Sequence, residues 1–123
     1  MSEDITGIAG VIIWTEPERH GAMARFYRDV VGLTPRSDRD GFINFEWGRT
    51  RLTIARHSSV AGPSRDPLRT MVNLDVTDIH RVHERLVAAG VEFSRAPEQE
   101  SWGGWIATFN DPDHNTVQLM QVT

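Results

Sequence analysis

The chain has 123 residues, a net charge of −4 and no cysteine. That length suits one ordinary domain that folds without staples. The missing cysteines exclude disulfides, thiol catalysis and cysteine-ligated zinc. The acidic balance and the lack of any run of Lys or Arg argue against a nucleic-acid partner, because neutralising phosphates needs a basic face. The N-terminus, Met1-Ser2-Glu3-Asp4, lacks the basic start of a signal peptide. The early apolar run Ile8 to Trp14 is too short to cross a bilayer. A cytoplasmic protein with no membrane partner is expected.

Ile8 to Trp14 is β-branched and apolar and predicts a strand. Pro17 opens a helix whose apolar face is Met23, Phe26, Tyr27, Val30 and Val31, and Gly32 stops it. Leu33 to Arg36 is a short strand candidate. Phe42 to Trp47 alternates and predicts a strand, Gly48-Arg49 turns the chain, and Arg51 to Arg56 returns. Ser58 to Asp66 is small, polar and Gly/Pro-containing, and reads as a linker.

The order then begins again. Met71 to Val76 predicts a strand. Thr77-Asp78 starts a helix carrying Ile79, Val82, Leu86 and Val87, and Gly90 stops it. Val91 to Ser94, Gly104 to Asn110 and Thr116 to Val122 complete the set, the last two joined by the turn Asp111-Pro112-Asp113-His114-Asn115. If position 114 needs a positive φ, His is one of the less penalised side chains there. The expected fold is α+β: a single domain, 1–123, of two tandem βαβββ modules. Module one covers about residues 5–57, a linker 58–69, and module two about 70–123.

Three segments carry a resemblance to a known family: Phe26-Tyr27-Arg28-Asp29-Val30-Val31-Gly32-Leu33, then Leu86-Val87-Ala88-Ala89-Gly90-Val91-Glu92-Phe93, then Trp102 through Asn115. In this order they resemble the vicinal oxygen chelate superfamily, the glyoxalase/bleomycin-resistance/dioxygenase proteins. The resemblance implies two modules whose curved mixed sheets form a U-shaped cleft with helices outside. It also implies a homodimer, with modules paired within one chain or between two.

Many members of that family hold a divalent metal with two side chains from each module. The corresponding positions here are Gly10, Thr53, Met71 and Gln118. Glycine has no side-chain donor, methionine sulfur is too soft for an oxygen/nitrogen site, and Thr and Gln are weak neutral ligands. No metal and no cofactor are therefore expected, and Lewis-acid chemistry at these positions is lost with them. His80 and His83, spaced i, i+3 beside Glu84, have helical metal spacing, but a solvated helix face is the simpler reading. His20 and His57 read as loop or strand-end residues.

Alternation along strands extends the cleft face. It takes Ile8, Gly10, Ile12 and Trp14, then Arg51, Thr53 and Ala55, then Met71, Asn73 and Asp75, and finally Thr116, Gln118 and Met120. The opposite parity is apolar and would pack under the helices. Trp102 and Trp105 flank Gly103-Gly104 and are candidates for an aromatic wall, Trp105 being divided evenly between ligand contact and core packing; Trp47 is a weaker third. The expected ligand-binding set is Gly10, Trp14, Arg51, Thr53, Met71, Asn73, Trp102, Trp105, Gln118 and Met120. Asp75 and Glu46 are the carboxylates available as a base, though a surface or salt-bridged role is simpler for each, so no catalytic residue is assigned. The expectation is a metal-independent binder of an aromatic or amphipathic small molecule, an antibiotic among the candidates. The alternative is a lyase, isomerase or dioxygenase-type enzyme, metal-free or with relocated ligands.

Overall fold

The computed structural model describes residues 4–122. Its first half runs β1 (Gly10–Thr15), a 3-10 turn (Pro17–Arg19), α1 (His20–Arg25), a π-helical turn (Phe26–Val30), β2 (Ser37–Arg39), β3 (Phe42–Trp47) and β4 (Thr50–Arg56). Its second runs β5 (Met71–Asp75), α2 (Ile79–Ala88), β6 (Phe93–Gln99), β7 (Trp105–Asn110) and β8 (Thr116–Gln121). The chain divides at Gly62/Pro63 into two compact units. Each holds one four-stranded sheet, ordered β1-β4-β3-β2 and β5-β8-β7-β6. In both, the first strand runs parallel to the last and the other pairings are antiparallel. This is the expected α+β fold with the βαβββ order repeated.

In the first unit the helical segment packs Met23 and Tyr27 over Ile43, Phe45, Leu52 and Ile54, all buried. Each such side chain contributes roughly 1.5–3 kcal/mol of apolar burial. The expected single helix is instead a succession of three windings. Pro17 suits the first turn, where its missing N–H is not needed. At the far end Val31 N–H reaches Phe26 O at 2.8 Å, an i→i+5 bond that adds one residue to the turn. His20, read from sequence as a loop or strand-end residue, opens α1 and is buried; its Nε2 lies 3.0 Å from Ile54 O, tying the helix to β4. The short strand expected at Leu33 to Arg36 forms later, at Ser37–Arg39. Pro35 has no N–H to give a ladder, whereas Arg36 N–H and Ser37 N–H bond to Asn44, through its backbone and side-chain oxygens.

In the second unit Asp78 caps α2 by accepting from Arg81 N–H at 3.2 Å, and Gln121 Oε1 accepts from Ile79 N–H at 2.7 Å. Ile79 and Leu86 fill the core. Gly90, at φ 95, closes the helix as anticipated: its N–H bonds to Val87 O and the next N–H, of Val91, to Leu86 O. The strand expected at Val91 to Ser94 starts at Phe93 and runs on to Gln99, through Pro97. It does so because β6 is the sheet edge, where a missing N–H is harmless, and its register slips twice. The turn between β7 and β8 is organised by the buried Asp111 carboxylate, which accepts from Asp113 N–H and Asn115 N–H, both at 2.9 Å, and from the Asn115 amide. His114 sits at φ 67 and is the one non-glycine residue with positive φ among the described residues.

Candidate functional site: the sheet faces opposite the helices

One face of each sheet packs on its helix; the other carries the sequence-predicted residues in rows. In the first unit Gly10 stands opposite Arg51 and Arg51 opposite Glu46. The next row is Ile12, Thr53 and Asn44, and the next Trp14, Ala55 and Phe42. Thr53 and Asn44 are buried, while Ile12 is 53% and Trp14 46% exposed. The Trp14 ring meets His57 edge-on at 5.2 Å. Arg39 covers the Phe42 ring at 4.6 Å. Glu46 is ion-paired with both Arg36 and Arg51.

In the second unit the corresponding rows are Met71 with Thr116, Asn73 with Gln118 and Thr108, and Asp75 with Met120 and Ile106. Gln118 Nε2 donates to Asn73 Oδ1 at 3.0 Å. Thr116, on the same parity as Gln118, is buried and donates its hydroxyl to Pro67 O. Trp102 is 55% exposed and lies over buried Gly104, where any Cβ would overlap the indole. Trp105 departs from the rest of the set. It shares parity with Ala107 and Phe109, facing α2, and its ring meets His80 edge-on at 4.8 Å. It therefore lies on the other face of the sheet from Gln118 and Met120. Trp47 likewise takes the parity of Ile43 and Phe45, at the exposed end of β3. His83 stacks edge-on with Phe93 at 4.6 Å, so the two helix histidines lean on sheet aromatics rather than standing free in solvent.

Sequence reading missed Arg36, Phe42, Asn44, Ile106 and Thr108 as members of these faces. The signal was available for the first unit. The two-residue turn Gly48-Arg49 sets Trp47 opposite Thr50, which forces Glu46 onto Arg51 and Asn44 onto Thr53.

At the four positions that the resemblance implies for a metal, Gly10, Thr53, Met71 and Gln118, the side chains present do not fit a hard divalent ion. Within the first unit, Gly10 falls two residues short of the one opposite Thr53; within the second, Met71 falls equally short of the one opposite Gln118. The two pairs are thus offset alike in the two units. A Cβ at position 10 would stand 2.5 Å from the Arg51 carbonyl oxygen. Glycine at that position makes room for the neighbouring backbone, and an imidazole there would push β1 from β4. Gln118 donates its amide nitrogen to Asn73 Oδ1, and its amide oxygen is a weak neutral donor. Among the described residues no cluster of three or more His, Cys, Asp or Glu is placed to hold a metal ion, and no helix is long and apolar enough to cross a membrane.

The repeated βαβββ unit defines the class, and comparison with known proteins gives the family. Residues 18–119 match the model of the Glyoxalase/Bleomycin resistance protein/Dioxygenase superfamily. The chain belongs to that superfamily. It is 24% identical over 110 residues to the uncharacterized protein YraH of Bacillus subtilis, covering 79% of this chain and 85% of that one. Its fold is that of lactoylglutathione lyase from Agrobacterium tumefaciens, with a TM-score of 0.73, 18% identity and 97% and 96% of the two chains covered. It is also that of a protein of unknown function from Agrobacterium tumefaciens C58, with a TM-score of 0.75, 21% identity and 94% and 93% covered.

Proposed function

We propose that this chain is a metal-independent binding protein for a small aromatic or amphipathic molecule, acting as a cytoplasmic homodimer, with sequestration of an antibiotic as one such use. The observation that carries the reading is the donor set at the four family positions: Gly10, Thr53, Met71 and Gln118 offer no hard anionic or imidazole ligand. Those faces carry apolar and neutral polar side chains, an indole on each unit and the Arg36/Arg51/Glu46 group, a mixture that suits an organic ligand. Metal analysis of protein purified without an affinity tag tests it: no stoichiometric Zn²⁺, Ni²⁺, Mn²⁺ or Fe²⁺ is expected. Titration with a panel of natural products should quench tryptophan emission, and Trp102→Ala should weaken the response. Tight stoichiometric metal would replace this reading with the enzymatic one, towards which the lyase named above points.

The dimer rests on β1. This edge strand exposes apolar side chains on both faces, Val11 at 44% on one and Ile12 and Trp14 on the other. Uncovered strands of that kind are aggregation hazards, and a second copy is the proposed cover. Sedimentation should give twice the chain mass, and Val11→Lys should halve it. A monomeric wild type would refute the arrangement.

A further inference from the structure

We infer that the ligand of the first sheet face carries an anionic group, a carboxylate or phosphate, held by Arg36 and Arg51. The inference rests on the small-molecule reading above and names the ligand's charge. It starts from an imbalance among the arginines. Arg28 is saturated: Nε and Nη2 meet Asp29 at 2.9 and 3.0 Å, and Nη1 meets Asp38 at 2.8 Å. Arg95 likewise has two acids, Glu98 and Glu100. Glu46 reverses the ratio, since one carboxylate serves two guanidinium groups. Arg36 and Arg51 touch it through Nε alone, at 2.5 and 3.5 Å. Neither arginine donates a hydrogen bond through its Nη atoms among the described residues.

That cluster carries one surplus positive charge in a chain of net charge −4. Both side chains are about half exposed, at 55% and 53%, so an incoming anion can reach them. A guanidinium with free Nη groups presents the fork that binds carboxylate or phosphate oxygens in pairs. The position suits an amphipathic acid. Strand rise puts the Ile12, Thr53 and Asn44 row about 7 Å from the Arg51 row, and Trp14 about 13 Å away. An anion at Arg51 therefore lays its apolar body towards Ile12 and Trp14, both on the same face.

Matched probes test the charge separately from the binding. Wild-type protein would be titrated, by calorimetry and tryptophan emission, with 1-naphthylacetate, 1-naphthyl phosphate, 1-naphthylacetamide and 1-naphthylmethylamine. At least one anion should bind about tenfold or more tighter than the amide and the amine, and should weaken as ionic strength rises. Arg51→Gln should remove that preference while leaving amide binding unchanged, with its melting temperature confirming the fold; Arg36→Gln repeats the test if Arg51→Gln melts early. The two anions separate a carboxylate from a phosphate preference. Amide or amine binding as tightly as both acids would overturn the inference and leave the small-molecule reading standing. Failure of all four probes, with a broad natural-product panel also silent, would remove the small-molecule reading and the inference together.

Discussion

Replacing Gly10 by alanine should destabilise the protein, although glycine in a strand is ordinarily improved by a side chain. Removing a glycine stabilises by about 0.4–1 kcal/mol through the unfolded chain when the site has room. At Gly10 it does not. The new Cβ would lie 2.5 Å from Arg51 O and 3.2 Å from Arg51 C, both backbone atoms that cannot rotate away. To reach even a tight 3.0 Å contact, β1 and β4 must part by about half an ångström, next to the 3.0 Å bond from Arg51 N–H to Ala9 O. Overpacking of this kind costs about 1–3 kcal/mol, so a net loss of about 0.5–2 kcal/mol is expected after the entropic gain. Gly21→Ala is the control: it lies in α1, and its Cβ would meet nothing closer than the Arg25 Nη1 atom at 3.4 Å. There alanine should add up to about 1 kcal/mol. Urea unfolding followed by far-UV circular dichroism should move the midpoint down for Gly10→Ala and up for Gly21→Ala, with m unchanged. A Gly10→Ala protein as stable as the wild type would refute the account of why position 10 is glycine.

Leu86→Ala empties a fully buried site under the second sheet and should cost about 2–5 kcal/mol in thermal unfolding. Asp111→Ala leaves Asp113 N–H and Asn115 N–H without their acceptor in a buried turn and should cost about 1–3 kcal/mol, read from the urea midpoint. Gln118→Glu should not create a metal site by itself, because Gly10, Thr53 and Met71 still lack hard donors; calorimetry with Zn²⁺, Ni²⁺ and Mn²⁺ should show no stoichiometric binding. The Arg28 guanidinium holds the Asp29 carboxyl below the usual carboxylate range. The pair therefore stabilises at neutral pH, and its contribution fades as the pH falls through the folded-state value. Because both groups are exposed, Asp29→Asn should lower the melting temperature only slightly, and less so in acid; an equal loss at both pH values would contradict the sign.

The local sequence determined most of the element order. Gly32 and Gly90 mark helix ends because only a residue tolerant of positive φ closes them cheaply, and both stand at φ near 90. Strand parity separated Leu52, Ile54, Val117 and Leu119, all buried, from the opposite faces, because the side-chain period of two holds wherever the strand is. Residue type alone also told that Gly10, Thr53, Met71 and Gln118 offer no hard anionic or imidazole donor. Other features depended on partners distant in the chain. The place of β2 was decided by Asn44, and β6 could run through Pro97 only because the topology made it an edge. His20 was buried by a carbonyl 34 residues away. Trp105 was drawn to the helix side because the register of β7 on β8 paired it with Gln121, and no local pattern around Gly103-Gly104 carries that register. Gly10 is the clearest division between the two. Its identity told that the position has no side-chain donor, and only the approach of Arg51 O in the folded sheet told why nothing larger stands there.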